Sequence, residues 1–256
     1  MSELWDALLV QGEWMSVGVA VVVKGVVMAG QDRAQPLRGL DGRSVVVLET
    51  GTSSLVWIDL PAAIIVETIQ GEGGINIPPE NYLPELRELC DRRNWLLLLD
   101  EIQTGMGRTG TLFAYEHDAV VPDIMTLAKA LANGLPMGAM LAKEKNAVAF
   151  GPGAHASTFG GTPLVCAAAK EVLRMMSEEN ILENCRTTGA YFMEKLLQLQ
   201  ARHPLMQDVR GRGLLLGIEL SINAEPIVRA CMEKGFLINC IQEKVLRFAP
   251  PLIVTE

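Results

Sequence analysis

The sequence predicts an α/β protein, with a mostly parallel sheet layered by helices and a smaller C-terminal α/β unit. Three observations carry this reading. Residues 95–99 are an uninterrupted apolar run, the pattern of a parallel strand covered on both faces. Just before it, Leu83, Leu86, Leu89 and Cys90 recur at helical spacing across 82–94 with charges between them, as on a helix with one buried face. Short apolar strands at 62–66 and 124–127 flank this pair, so strand, helix and strand alternate in the βαβ manner.

The elements follow in order. Before residue 61, Val, Gly and Trp recur with neither a helical nor an alternating period. The strand at 62–66 ends in Gln70-Gly71-Glu72-Gly73-Gly74, a turn-forming stretch. Beyond residue 160, Pro163 opens a helix running to 176, since proline is tolerated at a first helical position. A second long helix spans 181–202. Residues 210–220 read as one strand entered through a glycine turn, followed by a helix at 226–234 and strands at 236–239 and 245–248. The expected organisation is therefore a segment 1–61, a large domain over 62–176 and a smaller one over 177–256.

Composition limits the function classes. A 49% hydrophobic content supports a substantial core, and a net charge of −8 speaks against nucleic acid as a partner. The five cysteines include no C-x-x-C pair, which suits reduced thiols in the cytoplasm. His117, His155 and His203 are scattered, so no metal site is expected. The valine-rich stretch 17–29 is interrupted by Lys24 and too short to cross a bilayer. Glu3, Asp6 and Glu13 precede it where a secretory signal would be basic. Neither a membrane span nor a targeting segment is expected.

Two charged residues stand where α/β sheets place ligands, at or just past the C-terminal end of a strand. Asp100 follows the apolar run, and Lys129 follows the strand at 124–127. An acid and an amine so placed suit a cofactor with a ring nitrogen to protonate and an aldehyde to trap, which is pyridoxal 5′-phosphate (PLP). The competing reading of Leu-Asp-Glu as the Mg²⁺ ligand of a P-loop ATPase needs a Gly-Lys phosphate loop, and the chain has no Gly-Lys dipeptide.

Five motifs extend the picture: Val66-Glu67-Thr68-Ile69-Gln70-Gly71-Glu72-Gly73-Gly74; Asp100-Glu101-Ile102-Gln103-Thr104-Gly105 with Gly107-Arg108-Thr109-Gly110; Thr126-Leu127-Ala128-Lys129-Ala130-Leu131; His155-Ala156-Ser157-Thr158-Phe159-Gly160-Gly161; and Arg247-Phe248-Ala249-Pro250-Pro251-Leu252. Together, over about residues 62–256, they resemble the class III (ornithine/acetylornithine-type) PLP-dependent aminotransferases of fold type I. The resemblance implies that Lys129 forms the Schiff base with PLP and moves the proton between substrate Cα and the cofactor. It implies that Asp100 keeps the pyridine nitrogen protonated and that Gln103 bonds the phenolic oxygen. Ser157 and Thr158 would contact the PLP phosphate of a neighbouring subunit, which implies a homodimer. Read alone, the same Ser-Thr pair also suits a cap ahead of the Pro163 helix. Glu67 and Arg247 match a glutamate–arginine gate that admits either an ω-amine or a second carboxylate.

The implied activity is transfer of an amino group from N-acetylornithine or a similar ω-amino compound to 2-oxoglutarate, in arginine biosynthesis. The alternatives are a catalytically incompetent remnant of such an enzyme, or a PLP aminomutase or racemase of the same superfamily. The chain also departs from the pattern. Thr68 stands where the family usually has Pro, and residues 1–61 contain neither S-G-x-E-A-N-E, the phosphate loop, nor F-H-G-R-T, whose arginine binds the α-carboxylate. The family also usually continues beyond the position of Glu256. These departures suggest a disrupted or shortened gene, and imply weak PLP binding and little transamination by these 256 residues alone.

Overall fold

The computed structural model describes residues 61–152, 154, 157 and 160–256, together with strand segments at 14–15, 37–38 and 44–47. The chain forms two compact units. The first comprises Met1–Thr68, Pro79–Gln103 and Tyr115–Glu178; the second comprises Ile69–Pro78, Thr104–Ala114 and Glu179–Glu256. The stretches 69–78 and 104–114 therefore belong with the C-terminal part of the chain.

The first unit is built on strands β1 (Trp14–Met15), β2 (Leu37–Arg38), β3 (Ser44–Val47), β4 (Pro61–Glu67), β5 (Leu96–Asp100), β6 (Ile124–Leu127) and β7 (Ala139–Lys143). They form one sheet in the order β1-β7-β6-β5-β4-β3-β2. Strands β3 to β6 run parallel, while β2, β7 and β1 pair antiparallel with their neighbours. Two differences from the sequence expectation stand out. Ser44–Val47 pairs with β4 inside a stretch that shows no period of its own. Strand β7 is Ala-Met-Leu-Ala-Lys, a composition with little β preference, so pairing with β6 makes it a strand.

Helix α1 (Tyr82–Arg93) buries Leu83, Leu86 and Cys90 and carries Arg92 and Arg93 in its last turn, where cations favour the helix dipole. It stops at Asn94, whose left-handed backbone (φ 54°) returns the chain to β5. Helix α2 (Pro163–Glu178) buries Val165, Ala169, Leu173 and Met176, one helical face.

One carboxylate ties this unit together. Asp123, just ahead of β6, is 3% exposed. Its Oδ2 accepts from Arg87 of α1 at 2.8 Å and from the Leu97 N–H of β5 at 3.0 Å, and its Oδ1 from Lys143 of β7 at 3.3 Å. Burial alone would raise its pKa, but these donors and charges outweigh burial and hold it below the usual carboxylate value. A depressed folded pKa gives stability that is present above the unfolded value, near 3.9, and is lost as pH falls through the folded one. Asp123→Asn removes the charge facing Arg87 and Lys143, leaving Arg87 its second partner Asp91 at 2.8 Å, and should destabilise the chain by about 1.5–3 kcal/mol at pH 7, measured by urea unfolding. The gap to the unsubstituted chain should narrow below about pH 4.

The second unit holds an antiparallel sheet of β8 (Met206–Arg212), β9 (Leu215–Leu220), β10 (Asn239–Ile241) and β11 (Val245–Phe248), in the order β10-β11-β9-β8. Helices α3 (Ile181–Gln200) and α4 (Glu225–Glu233) complete it. Leu196, Met206, Val209, Leu216, Ile218, Leu220 and Leu246 share a core. Ile69 and Ile75 join Leu215, Ile241 and Val245 in another, which is why 69–78 belongs here. Residues 210–220 are not one strand: β8 and β9 form a hairpin across Gly213-Leu214, with Gly213 at φ 57°, as tight two-residue turns require. Leu214 is fully buried and donates its N–H to Arg108 O at 3.1 Å, so this turn lacks the polar residue that betrays most turns. Phe236 and Leu237 precede β10 and are largely exposed rather than paired.

The hairpin turn packs tightly. An added Cβ on Gly189 of α3 would stand 2.4 Å from Gly213 O. Alanine is worth about 1 kcal/mol over glycine in a helix interior, but here the obstacle is backbone and cannot swing aside. Gly189→Ala should therefore destabilise by about 1–2 kcal/mol, the overpacking cost less the helix gain. Urea unfolding gives the sign, and a stabilised variant would refute this packing.

Candidate active site

The register of the parallel strands builds the site. β4 and β5 place Glu67 beside Asp100, and β5 and β6 place Asp100 beside Thr126. Three polar side chains thus form one row at the C-terminal ends of adjacent strands. Because strand side chains alternate, the next residue serves a different purpose. Glu101 is buried, its Oε1 accepts the Tyr115 N–H at 2.9 Å, and its own N–H donates to Thr126 O at 3.0 Å.

Asp100 commits one oxygen. Oδ1 accepts the Ile102 N–H at 2.9 Å, while Oδ2 has no hydrogen-bond partner among the described residues. Burial raises its pKa, opposed by the Ile102 N–H, the Thr126 hydroxyl and the charge of Lys129. A carboxyl whose folded pKa is raised disfavours the folded state once pH exceeds its unfolded value, so at pH 7 this group is a cost that a bound cation would offset. The Thr126 hydroxyl is buried and lacks a hydrogen-bond partner among the described residues. It lies close enough to ease Asp100 ionisation but outside hydrogen-bonding geometry.

Lys129 follows β6 by two residues. Ala128 is extended, and Lys129 then turns left-handed (φ 49°) into a one-turn 3₁₀ helix, Lys129–Ala132, that ends at left-handed Asn133. That backbone costs a non-glycine residue about 1–2 kcal/mol. Buried Leu131 and Ala132 hold it, with Leu131 N–H donating to Ala128 O at 3.0 Å. The lysine side chain is exposed, and its charge acts on Asp100.

The other expected site residues are placed as follows. Gln103 is half-buried three residues beyond Asp100. Ser157 is exposed, and its Oγ accepts the Gly160 N–H at 2.9 Å, a capping bond that leaves its O–H available to donate. Thr158 lies outside the described residues. Glu67 belongs to the first unit and Arg247, on β11, to the second. Within that second unit, Arg247 bonds Glu72 at 2.5 Å and Asn239 at 3.2 Å. Sequence reasoning passed over Thr126 and Glu72, although both sit inside quoted motifs; their signal was position, not residue type. Among the described residues, no group of three His, Cys, Asp or Glu side chains could hold a metal ion. Nor is any helix there long and apolar enough to cross a membrane.

Residues 47–256 match the family described as aminotransferase class-III. The chain belongs to the class III aminotransferases. The acetylornithine aminotransferase of Caldanaerobacter subterraneus subsp. tengcongensis is 52% identical over 199 residues, covering 77% of this chain and 50% of that protein. The enzyme of the same name from Methanocaldococcus jannaschii is 48% identical over 202 residues, again 77% and 50%. Among solved structures, the ornithine aminotransferase of Toxoplasma gondii ME49 superposes with a TM-score of 0.73 at 41% identity, covering 77% of this chain and 48% of that one. The N-acetylornithine aminotransferase of Stenotrophomonas maltophilia K279a gives 0.70 at 41%, covering 77% and 52%. The chain thus has the α/β architecture of fold type I aminotransferases, and it spans about half the length of the curated relatives it matches.

Class III aminotransferases are PLP-dependent transferases, and the first unit's residues fit the reactive end of that cofactor. The uncommitted Asp100 Oδ2 is an anionic acceptor for a protonated ring nitrogen. The partnerless Thr126 hydroxyl beside it is a buried donor awaiting an acceptor. Lys129 offers a primary amine just past the neighbouring strand, and Gln103 a half-buried amide three residues beyond Asp100. Of the expected phosphate ligands, Ser157 is the one described.

Proposed function

We propose that this chain carries the Asp–Lys centre of a PLP-dependent transamination site, moving an amino group from N-acetylornithine or a related ω-amino compound to 2-oxoglutarate, in arginine biosynthesis in the cytoplasm. The observation supporting this most strongly is the register row Glu67–Asp100–Thr126 closed by Lys129. When bound, PLP would supply an electron sink that acidifies the C–H of the substrate carbon bearing the transferred amine. Asp100 would hold positive charge at the ring nitrogen, and Lys129 would hold the aldehyde through Nζ and, as a free amine, carry the proton of the substrate carbon that bears the transferred amine. Gln103 orients the ring through its phenolic oxygen. Ser157 and Thr158 bind phosphate in a second copy of the chain, so the working form is a homodimer. Glu67 and Arg247 act as the gate: paired they present a neutral surface to an ω-amine, and parted they free the guanidinium for a second carboxylate.

The test is an assay of purified chain with excess PLP, N-acetylornithine and 2-oxoglutarate. Glutamate should form only when both PLP and donor are present. Because residues 1–61 carry neither the family's phosphate loop nor its carboxylate arginine, the rate should fall well below the usual enzymatic range of about 1–10³ s⁻¹. PLP retained with no glutamate formed would favour the incompetent remnant, and no PLP uptake at all would remove the reading.

A further inference from the structure

The Thr126 hydroxyl is a buried polar atom of the strand-end row with no hydrogen-bond partner among the described residues. A hydroxyl sealed from solvent without a partner is unfavourable, and valine would fill the same space on a β-strand with better packing. Its position is specific: β6 pairs with β5 so that Thr126 stands directly beside Asp100. The other groups facing Asp100 are already distinguished by role. Ile102 N–H occupies Oδ1, Glu67 is its register neighbour on β4, and Lys129 follows β6 and acts through its charge. A carboxylate that must hold a cationic ring nitrogen at a fixed place needs a second donor beside Ile102 N–H, and Thr126 is the donor at hand.

We propose that Thr126 is a positioning residue, whose hydroxyl donates to the Asp100 carboxylate once that group is ionised, fixing its orientation for the cofactor ring. This rests on the reading of Asp100 as the ring-nitrogen partner. It also accounts for the threonine's burial without a partner, since the hydrogen bond closes only once Asp100 is ionised.

The test compares the unsubstituted chain with Thr126→Val and Thr126→Ser. Without PLP, and at a pH that keeps Asp100 protonated, Thr126→Val should leave the urea unfolding midpoint equal or higher, because the partnerless hydroxyl is gone. With PLP, its affinity, read by quenching of intrinsic tryptophan fluorescence, should fall about tenfold or more, the worth of a hydrogen bond to a charged group. Thr126→Ser should restore most of that affinity. A merely structural threonine would move stability and affinity in the same direction, so a destabilised Thr126→Val that binds PLP weakly contradicts the proposal, as does one that binds PLP normally. A ¹³C-carboxyl titration of Asp100 without PLP gives a second, independent readout. Asp100 should titrate higher in Thr126→Val and return in Thr126→Ser; no change would sink the proposal whether or not PLP binds. Failure of the unsubstituted chain to attach PLP at Lys129 would instead count against the transamination reading, leaving the titration to decide on Thr126.

Discussion

Lys129→Ala should abolish covalent retention of PLP and lower PLP-dependent glutamate formation by about 10²–10⁴-fold or more, the range a positioned proton carrier supplies. The loss follows from two roles falling on one amine: the covalent bond to the aldehyde, and movement of the proton on the amine-bearing substrate carbon after release. Among the described residues, Lys143 ends the antiparallel strand β7 and is committed to Asp123, so it does not compete for this role. Lys129→Arg should fail equally, because a guanidinium stays protonated and cannot serve as base or nucleophile. PLP remaining after gel filtration and glutamate formed per hour are the two measurements. Stability should follow a different order. Lys129 is left-handed at φ 49°, so Lys129→Gly should be about 1 kcal/mol more stable than Lys129→Ala while equally inactive. Equal stabilities would mean that the segment relaxes without the lysine side chain.

Asp100→Asn should weaken PLP binding by about 10–100-fold, since it trades a charge-assisted hydrogen bond for a neutral one. Transamination should fall further still, because an unprotonated ring nitrogen is a poor acceptor of electrons from the amine-bearing substrate carbon. The same substitution should leave the unliganded chain as stable as before or more so at pH 7. Burial raises the Asp100 pKa, so ionising it disfavours the fold, and an amide of the same shape avoids that cost. The advantage should vanish below about pH 4, where the carboxyl is protonated in the unfolded chain as well. A variant that loses stability at pH 7 together with PLP would show that Asp100 serves the fold rather than the cofactor.

Much of this was legible in the residues, for identifiable reasons. β5 and β6 announce themselves because buried parallel strands need no alternation, and α1 does so because its apolar stripe is unbroken. Asp100 and Lys129 stood out because each ends an apolar run with a charge. What stayed hidden depends on partners distant in sequence. β7 is a strand only because β6 pairs with it. The hairpin at Gly213-Leu214 hides its turn behind a leucine that Arg108 O receives. The stretches 69–78 and 104–114 belong to the second unit through Ile75 and Arg108, contacts no local pattern encodes. Thr126 and Glu72 are ordinary residues by type, and only register or a formed ion pair singles them out.

The most direct test of the central claim is the address of the covalent bond. Borohydride reduction of the PLP-saturated chain, followed by peptide mapping, should place the pyridoxyl group on Lys129, with Asp100→Asn lowering its yield and Lys129→Ala removing it. A pyridoxyl group on another lysine, with Lys129 unmodified, would contradict the account at its foundation.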